Sequence, residues 1–166
     1  MIKKIVMLFA FVLVAGTAQA ALKVNDPAPL FSLSELGNGR FSFAPPEPQG
    51  GRKGTIIAFF ASWCMPCRDE LPMLNGLAEE MRSRGITIVL VNVKEDAGLV
   101  KRLLADLKVD KPVVVSDRDG KVTEQYQVLF LPTTFFVSAD GRVKDIIFGE
   151  IRDAAQLRKS AATIAP

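Results

Sequence analysis

Thr55-Ile56-Ile57-Ala58-Phe59-Phe60-Ala61-Ser62-Trp63-Cys64-Met65-Pro66-Cys67-Arg68-Asp69-Glu70-Leu71-Pro72 is the stretch that decides the fold. Its continuous run Thr55–Ala61 suits a central strand covered on both faces. The pattern then changes period. Leu71, Leu74, Leu77, Ala78 and Met81 recur at helical spacing, so a helix is predicted from about Pro66 to Arg84, ended by Gly85. Cys64 and Cys67 fall where the strand hands over to the helix. Their i, i+3 spacing puts both sulfurs on one side of the first helical turn.

Outward from this unit, Ile86–Val93 reads as the next strand, and a strand–helix–strand unit requires a parallel pair with a right-handed crossover. Leu99, Val100, Leu103, Leu104 and Leu107 mark a second amphipathic helix. Val113–Val115 is a short strand. Thr134–Val137 and Val143–Phe148 are two more around the Asp140-Gly141 turn. A last helix covers about Arg152–Ile164. On the N-terminal side, Phe31-Ser32-Leu33 and Phe41-Ser42-Phe43 alternate around Gly37-Asn38-Gly39, a hairpin signal. Ala44–Gly54, with Pro45, Pro46 and Pro48, reads as a surface loop. The expected architecture is α/β: a mixed central sheet with helices on both faces and an N-terminal β-hairpin extension.

The chain has 166 residues, 49% of them hydrophobic, enough for one domain with a buried core. Lys3 and Lys4, the uncharged run Ile5–Ala15 and the Ala18-Gln19-Ala20 pattern match a secretory signal peptide. The expected organisation is a signal peptide over 1–20 and one domain over 21–166, placing the protein in the periplasm or otherwise outside the cytoplasm. The alternative is a membrane anchor left by an uncleaved N-terminus, although the apolar run is shorter than the ~20 residues a spanning helix needs. A net charge of +3 and a single Trp and Tyr argue against a nucleic-acid partner. There is no histidine, which removes Ser-His-Asp and Cys-His catalysis.

Cys64, at or just before the first helical turn, meets free N–H groups and the positive end of the helix dipole. A free thiol titrates near ~8.5, and such a setting lowers it by one to several units. Pro66 fits a helix start because its missing N–H costs nothing there. Cys64 is therefore assigned as nucleophile and Cys67 as the resolving thiol of thiol–disulfide exchange. A purely stabilising disulfide is the weaker reading, since so small a loop restrains little chain entropy. Leu131-Pro132-Thr133-Thr134 is a second element; by spacing alone Pro132 is an ordinary strand-starting proline.

These blocks together resemble the TlpA/ResA-like thiol–disulfide oxidoreductases of the bacterial envelope, within the thioredoxin superfamily. Val24–Leu33 resembles the family's opening Ala-Pro-x-Phe segment, Phe59–Pro72 its active-site block, and Tyr126–Val137 its proline block. The resemblance implies a thioredoxin fold, a cis Leu131–Pro132 bond lying against the cysteines, and Thr133 beside it. It also places Glu70 at an acidic position of the active-site helix. There Glu70 reads in two ways: a partly buried acid acting on the thiols, or a first-turn glutamate favoured by the helix dipole. Ala58 departs from thioredoxin itself, which carries a buried aspartate there. Trp63 reads as a contact surface beside the site or as simple packing, and Pro72 as a kink within the helix.

The resemblance further implies an enzyme that reduces disulfides of envelope proteins such as apocytochrome c or copper-site proteins, with no cofactor beyond the Cys64–Cys67 pair. Its partners are substrate proteins and a membrane thiol-reducing electron donor, and the chain is expected to be a monomer. An oxidase or isomerase is the alternative direction. A peroxiredoxin-like peroxidase needs a Pro-x-x-x-Thr-x-x-Cys setting that does not precede Cys64, and a Cu(I) module would use the two thiolates without the histidine that related copper proteins add. A binding domain with an incidental disulfide is the non-enzymatic reading.

Overall fold

The computed structural model describes residues 21–45 and 52–165. The signal peptide expected over residues 1–20, and residues 46–51 of the expected loop, lie outside the described residues. Eleven elements follow in order: β1 (Phe31–Glu35), β2 (Arg40–Phe43), β3 (Gly54–Phe60), α1 (Met65–Ser83), β4 (Ile86–Val93), α2 (Ala97–Asp106), β5 (Val113–Asp117), α3 (Lys121–Gln125), β6 (Thr133–Ser138), β7 (Val143–Phe148) and α4 (Ala154–Ala161).

All seven strands join one sheet in the order β2-β1-β5-β4-β3-β6-β7. β3, β4 and β5 are parallel, while β1, β2, β6 and β7 pair antiparallel with their neighbours. Every residue of β3 is buried, as its apolar run predicts. The connections β3–α1–β4 and β4–α2–β5 step in the same direction along the sheet. Right-handed crossovers therefore place both helices on one face. There Leu71, Leu74 and Met81 of α1, Val100 and Leu104 of α2, and Leu157 and Ala161 of α4 pack with Ile56, Ala58 and Phe60.

The opposite face also carries a helix, so helices flank the sheet on both sides as expected, but the two faces are covered unequally. Among the described residues its one helix is the five-residue α3, which contributes Val122 and leads into Tyr126. Aromatic packing does most of the covering: Phe31, Phe41, Phe43, Phe59 and Phe135 gather around Tyr126, whose hydroxyl donates to the Pro29 carbonyl at 2.8 Å. The N-terminal hairpin is thus part of the core. It pairs as the alternation requires, Phe31 with Phe43 and Leu33 with Phe41.

The remaining differences are local. β5 extends two residues past its apolar core because its pairing with β4 runs on to Val93 and Asp117. Leu99 of α2 is exposed instead of facing the core. α4 is shorter than expected, starting where the Asp153 carboxylate accepts the Gln156 N–H at 2.8 Å.

Candidate active site

Cys64 is the N-cap of α1, with extended backbone, and its sulfur accepts the Cys67 N–H at 3.2 Å. Cys64 N–H donates to the Ala61 carbonyl at 3.2 Å, and Arg68 N–H to the Cys64 carbonyl at 3.1 Å. The two sulfurs are joined as a disulfide across a Cα–Cα distance of 5.3 Å. Cys67 is completely buried, while Cys64 keeps 5% exposure, so an incoming group meets Cys64 first. Pro66 occupies the second position of the helix, where its missing N–H has no intrahelical partner to lose.

Glu70 is the sixth residue of α1, beyond the first turn, which holds no acid at all. The dipole reading of this glutamate therefore does not apply. It lies three residues after Cys67, hence on the same helix face, and is only 2% exposed. Its carboxylate accepts the Ile151 N–H at 2.9 Å. Burial pushes its pKa up to about 7, the Ile151 bond pulls it back in part, and the nearby Glu150 carboxylate adds to the rise. A carboxyl poised near neutrality beside the inner cysteine can take up or release a proton during thiol exchange.

The proline block arrives from across the sheet. β6 pairs with β3 so that Thr133 faces Phe59, bringing the start of β6 to the end of β3 from which the cysteine turn springs. Leu131–Pro132 is cis. Leu131 packs against the core cluster that contains both cysteines. Thr133 is buried, with its hydroxyl donating to the Phe130 carbonyl at 2.8 Å, which holds the bend in place. Gly149 N–H donates to the Pro132 carbonyl at 2.9 Å, tying in the end of β7. Trp63, at 70% exposure, is not a packing residue.

The fold thus brings Trp63, Cys64, Pro66, Cys67, Glu70, Leu131, Pro132 and Thr133 to one end of the sheet. Two features escaped the sequence reading. Met65, Leu129, Phe130 and Phe148 are exposed apolar side chains on the segments that bear the site, with the Phe130 and Phe148 rings 5.6 Å apart. Glu95, just past β4, accepts both the N–H and the hydroxyl of Ser62, two residues before Cys64. An acid placed immediately after a buried parallel strand was the available signal, because such strand ends border the functional crevice of α/β sheets.

Residues 24–146 match the AhpC/TSA family. The chain belongs to that family. Within it, the chain is 34% identical over 133 residues to the thiol-disulfide oxidoreductase ResA of Geobacillus kaustophilus, covering 80% of this chain and 74% of the relative. It is 32% identical over 134 residues to ResA of Bacillus subtilis, covering 81% and 72%. A solved thiol:disulfide interchange protein of the thioredoxin family from Chlorobium tepidum superposes with a TM-score of 0.72 at 27% identity, covering 89% of this chain and 100% of that one. This member of the AhpC/TSA family is a thiol–disulfide oxidoreductase of the ResA type with a thioredoxin fold, acting on thiol- or disulfide-bearing partners.

Proposed function

We propose that the protein is an extracytoplasmic reductant of protein disulfides. The observation that carries this reading is the asymmetry of the pair. Cys64 is the helix N-cap and keeps slight exposure, whereas Cys67 is fully buried and lies on the helix face of an acid whose pKa is raised to about 7. In the reduced protein the Cys64 thiolate attacks a substrate disulfide. The substrate S–S bond breaks, a Cys64–substrate bond forms, and the first substrate sulfur leaves as a thiolate that takes a proton. Cys67 gives its proton to ionised Glu70 and attacks the Cys64 sulfur, expelling the second substrate thiolate. Two electrons pass to the substrate and the Cys64–Cys67 disulfide remains. The pair carries the electrons without a further cofactor.

Trp63 and the apolar side chains around it supply the contact surface. An extended substrate segment pairs with the backbone at Leu131, beside the cis Pro132 whose own carbonyl accepts from Gly149. A membrane thiol donor restores the dithiol, the protein works as a monomer, and apocytochrome c or copper-site proteins are the substrates. The Lys3–Ala20 segment supports export, and among the described residues no helix is long and apolar enough to cross a membrane. Peroxidase chemistry is disfavoured, since Ile57 and Ala61 stand where its Pro-x-x-x-Thr-x-x-Cys setting needs proline and threonine.

The test is the equilibrium potential of the Cys64–Cys67 pair in defined dithiol buffers, read by thiol alkylation. The expected value is near or below about −250 mV, on the thioredoxin side of the scale. A value of roughly −120 to −180 mV overturns the reductant assignment in favour of an oxidase or isomerase.

A further inference from the structure

The turn that carries the redox pair is held from outside itself. Ser62 N–H donates to the Glu95 carboxylate at 2.7 Å and Ser62 Oγ donates to it at 2.5 Å. Asn92 Nδ2 donates to the same carboxylate at 2.7 Å. Glu95 stands just beyond β4, 33 residues from Ser62 in sequence, and is largely buried. β4 is the parallel neighbour of β3, with Asn92 opposite Phe60, so the carboxylate spans the ends of the two strands. An ionised carboxylate only accepts, and three donors converge on it here, which makes these charge-assisted bonds among the stronger in the molecule.

The Ala61–Ser62 peptide unit is held on both sides, its N–H by Glu95 and its carbonyl by the cysteine turn. Ala61 carbonyl accepts Cys64 N–H, and Cys64 sulfur accepts Cys67 N–H. Glu95 thus holds the peptide unit to which Cys64 is anchored, and the Cys64 sulfur is in turn fixed by the Cys67 N–H.

We infer that Glu95 is a positioning residue for Cys64: through Ser62 it holds the nucleophilic sulfur at the N-terminus of α1. The inference rests on the assignment of Cys64 as nucleophile. Released from Glu95, the turn lets the sulfur drift from the free N–H groups and the helix dipole that stabilise its thiolate. Displacements on the order of 1 Å at a reacting atom cost up to about a hundredfold in rate. Charge and position act with opposite signs here. The Glu95 charge by itself opposes a nearby thiolate, so removing only the charge lowers the Cys64 pKa, whereas removing the hold raises it. The other carboxylates grouped at the inner cysteine, Glu70 on α1 and Glu150 beyond β7, are the same in every variant compared.

The experiment measures iodoacetamide alkylation of the reduced protein against pH, with the labelled cysteine mapped by mass spectrometry, in wild type, Glu95→Ala, Glu95→Gln and Ser62→Ala. In Glu95→Ala the expected pH midpoint of Cys64 labelling rises by about half a unit or more, and reduction of a model disulfide slows about tenfold. Glu95→Gln keeps an acceptor for the Ser62 N–H, so its midpoint does not rise and most of the rate returns. Ser62→Ala loses one of the two Ser62 bonds and falls between. A Glu95→Ala midpoint at or below wild type overturns the inference, as does Glu95→Gln damaged as badly as Glu95→Ala. If Glu95→Ala does not fold, Ser62→Ala decides: a raised midpoint and slower reduction are expected, and wild-type behaviour overturns the inference. Labelling of Cys67 instead of Cys64 in the wild-type protein is the separate result that removes the nucleophile assignment, and this inference with it.

Discussion

Glu70 shows how a single residue can cost stability in order to be useful. Its carboxyl is raised from 4.5 to about 7 in the folded protein, first by burial. Between those two values the folded chain holds a proton that the unfolded chain has released. Stability therefore falls as pH rises through this window, and the loss is complete above pH 7. The difference corresponds to about 3 kcal/mol. Glu70→Gln is expected to be more stable than wild type by up to about that amount at pH 8 and nearly equal to it at pH 4. Urea unfolding at the two pH values checks this, and equal stabilities at pH 8 count against an ionised, buried Glu70. The sequence made Glu70 visible through its distance from Cys67, but not which of its two readings held. That depended on Ile151, 81 residues away, closing over it. Cys64, Cys67 and Pro66 were legible because their chemistry is local to one helix start. Glu95 was not, because its partner Ser62 is brought to it by strand pairing.

Among the elements, α3 was the one that sequence periodicity missed. Lys121–Gln125 is too short for a helical stripe, and Val122 is its single buried residue. What makes it a helix lies ahead of it. The fully buried Asp117, at the end of β5, accepts the N–H groups of Val122 and Thr123 at 3.2 and 2.7 Å and the Thr123 hydroxyl at 2.6 Å. Between them Gly120 takes φ +75°, with the Lys94 stem lying where a Cβ would stand. Asp117→Ala strands two N–H groups near the core and is expected to cost about 3 kcal/mol, while Asp117→Asn retains an acceptor and loses roughly half as much. Denaturant titration of the two variants measures the difference, and a cost below about 0.5 kcal/mol for alanine contradicts this account of α3. The longer elements were readable because apolar spacing specifies them directly. Their neighbours were harder: nothing in Val113–Asp117 announces that β5 pairs with the hairpin on one side and β4 on the other.

For the molecule as a whole, the sheet order and the aromatic face were the parts the sequence withheld. Phe31, Phe41 and Phe43 advertise a hairpin, but their meeting with Tyr126 depends on which sheet edge the hairpin joins. That docking makes the hairpin part of the cooperative core. Phe43→Ala is expected to lower global stability by about 3–5 kcal/mol, with circular dichroism still showing one transition. An early, separate melting of the hairpin is the result that denies it this place. The position of Cys67 carries a consequence of another kind. It is at once a redox group and a core residue, packed in the same cluster as Leu71 and Leu74. Folding and electron transfer therefore form a closed thermodynamic cycle. The free energy by which reduction changes the stability of the fold equals the free energy by which folding changes the pair's affinity for electrons. If the folded pair is more reducing than the same pair in the unfolded chain, the oxidised fold is the more robust of the two. Each delivery of electrons then leaves the protein firmer than before, and each recharging loosens it.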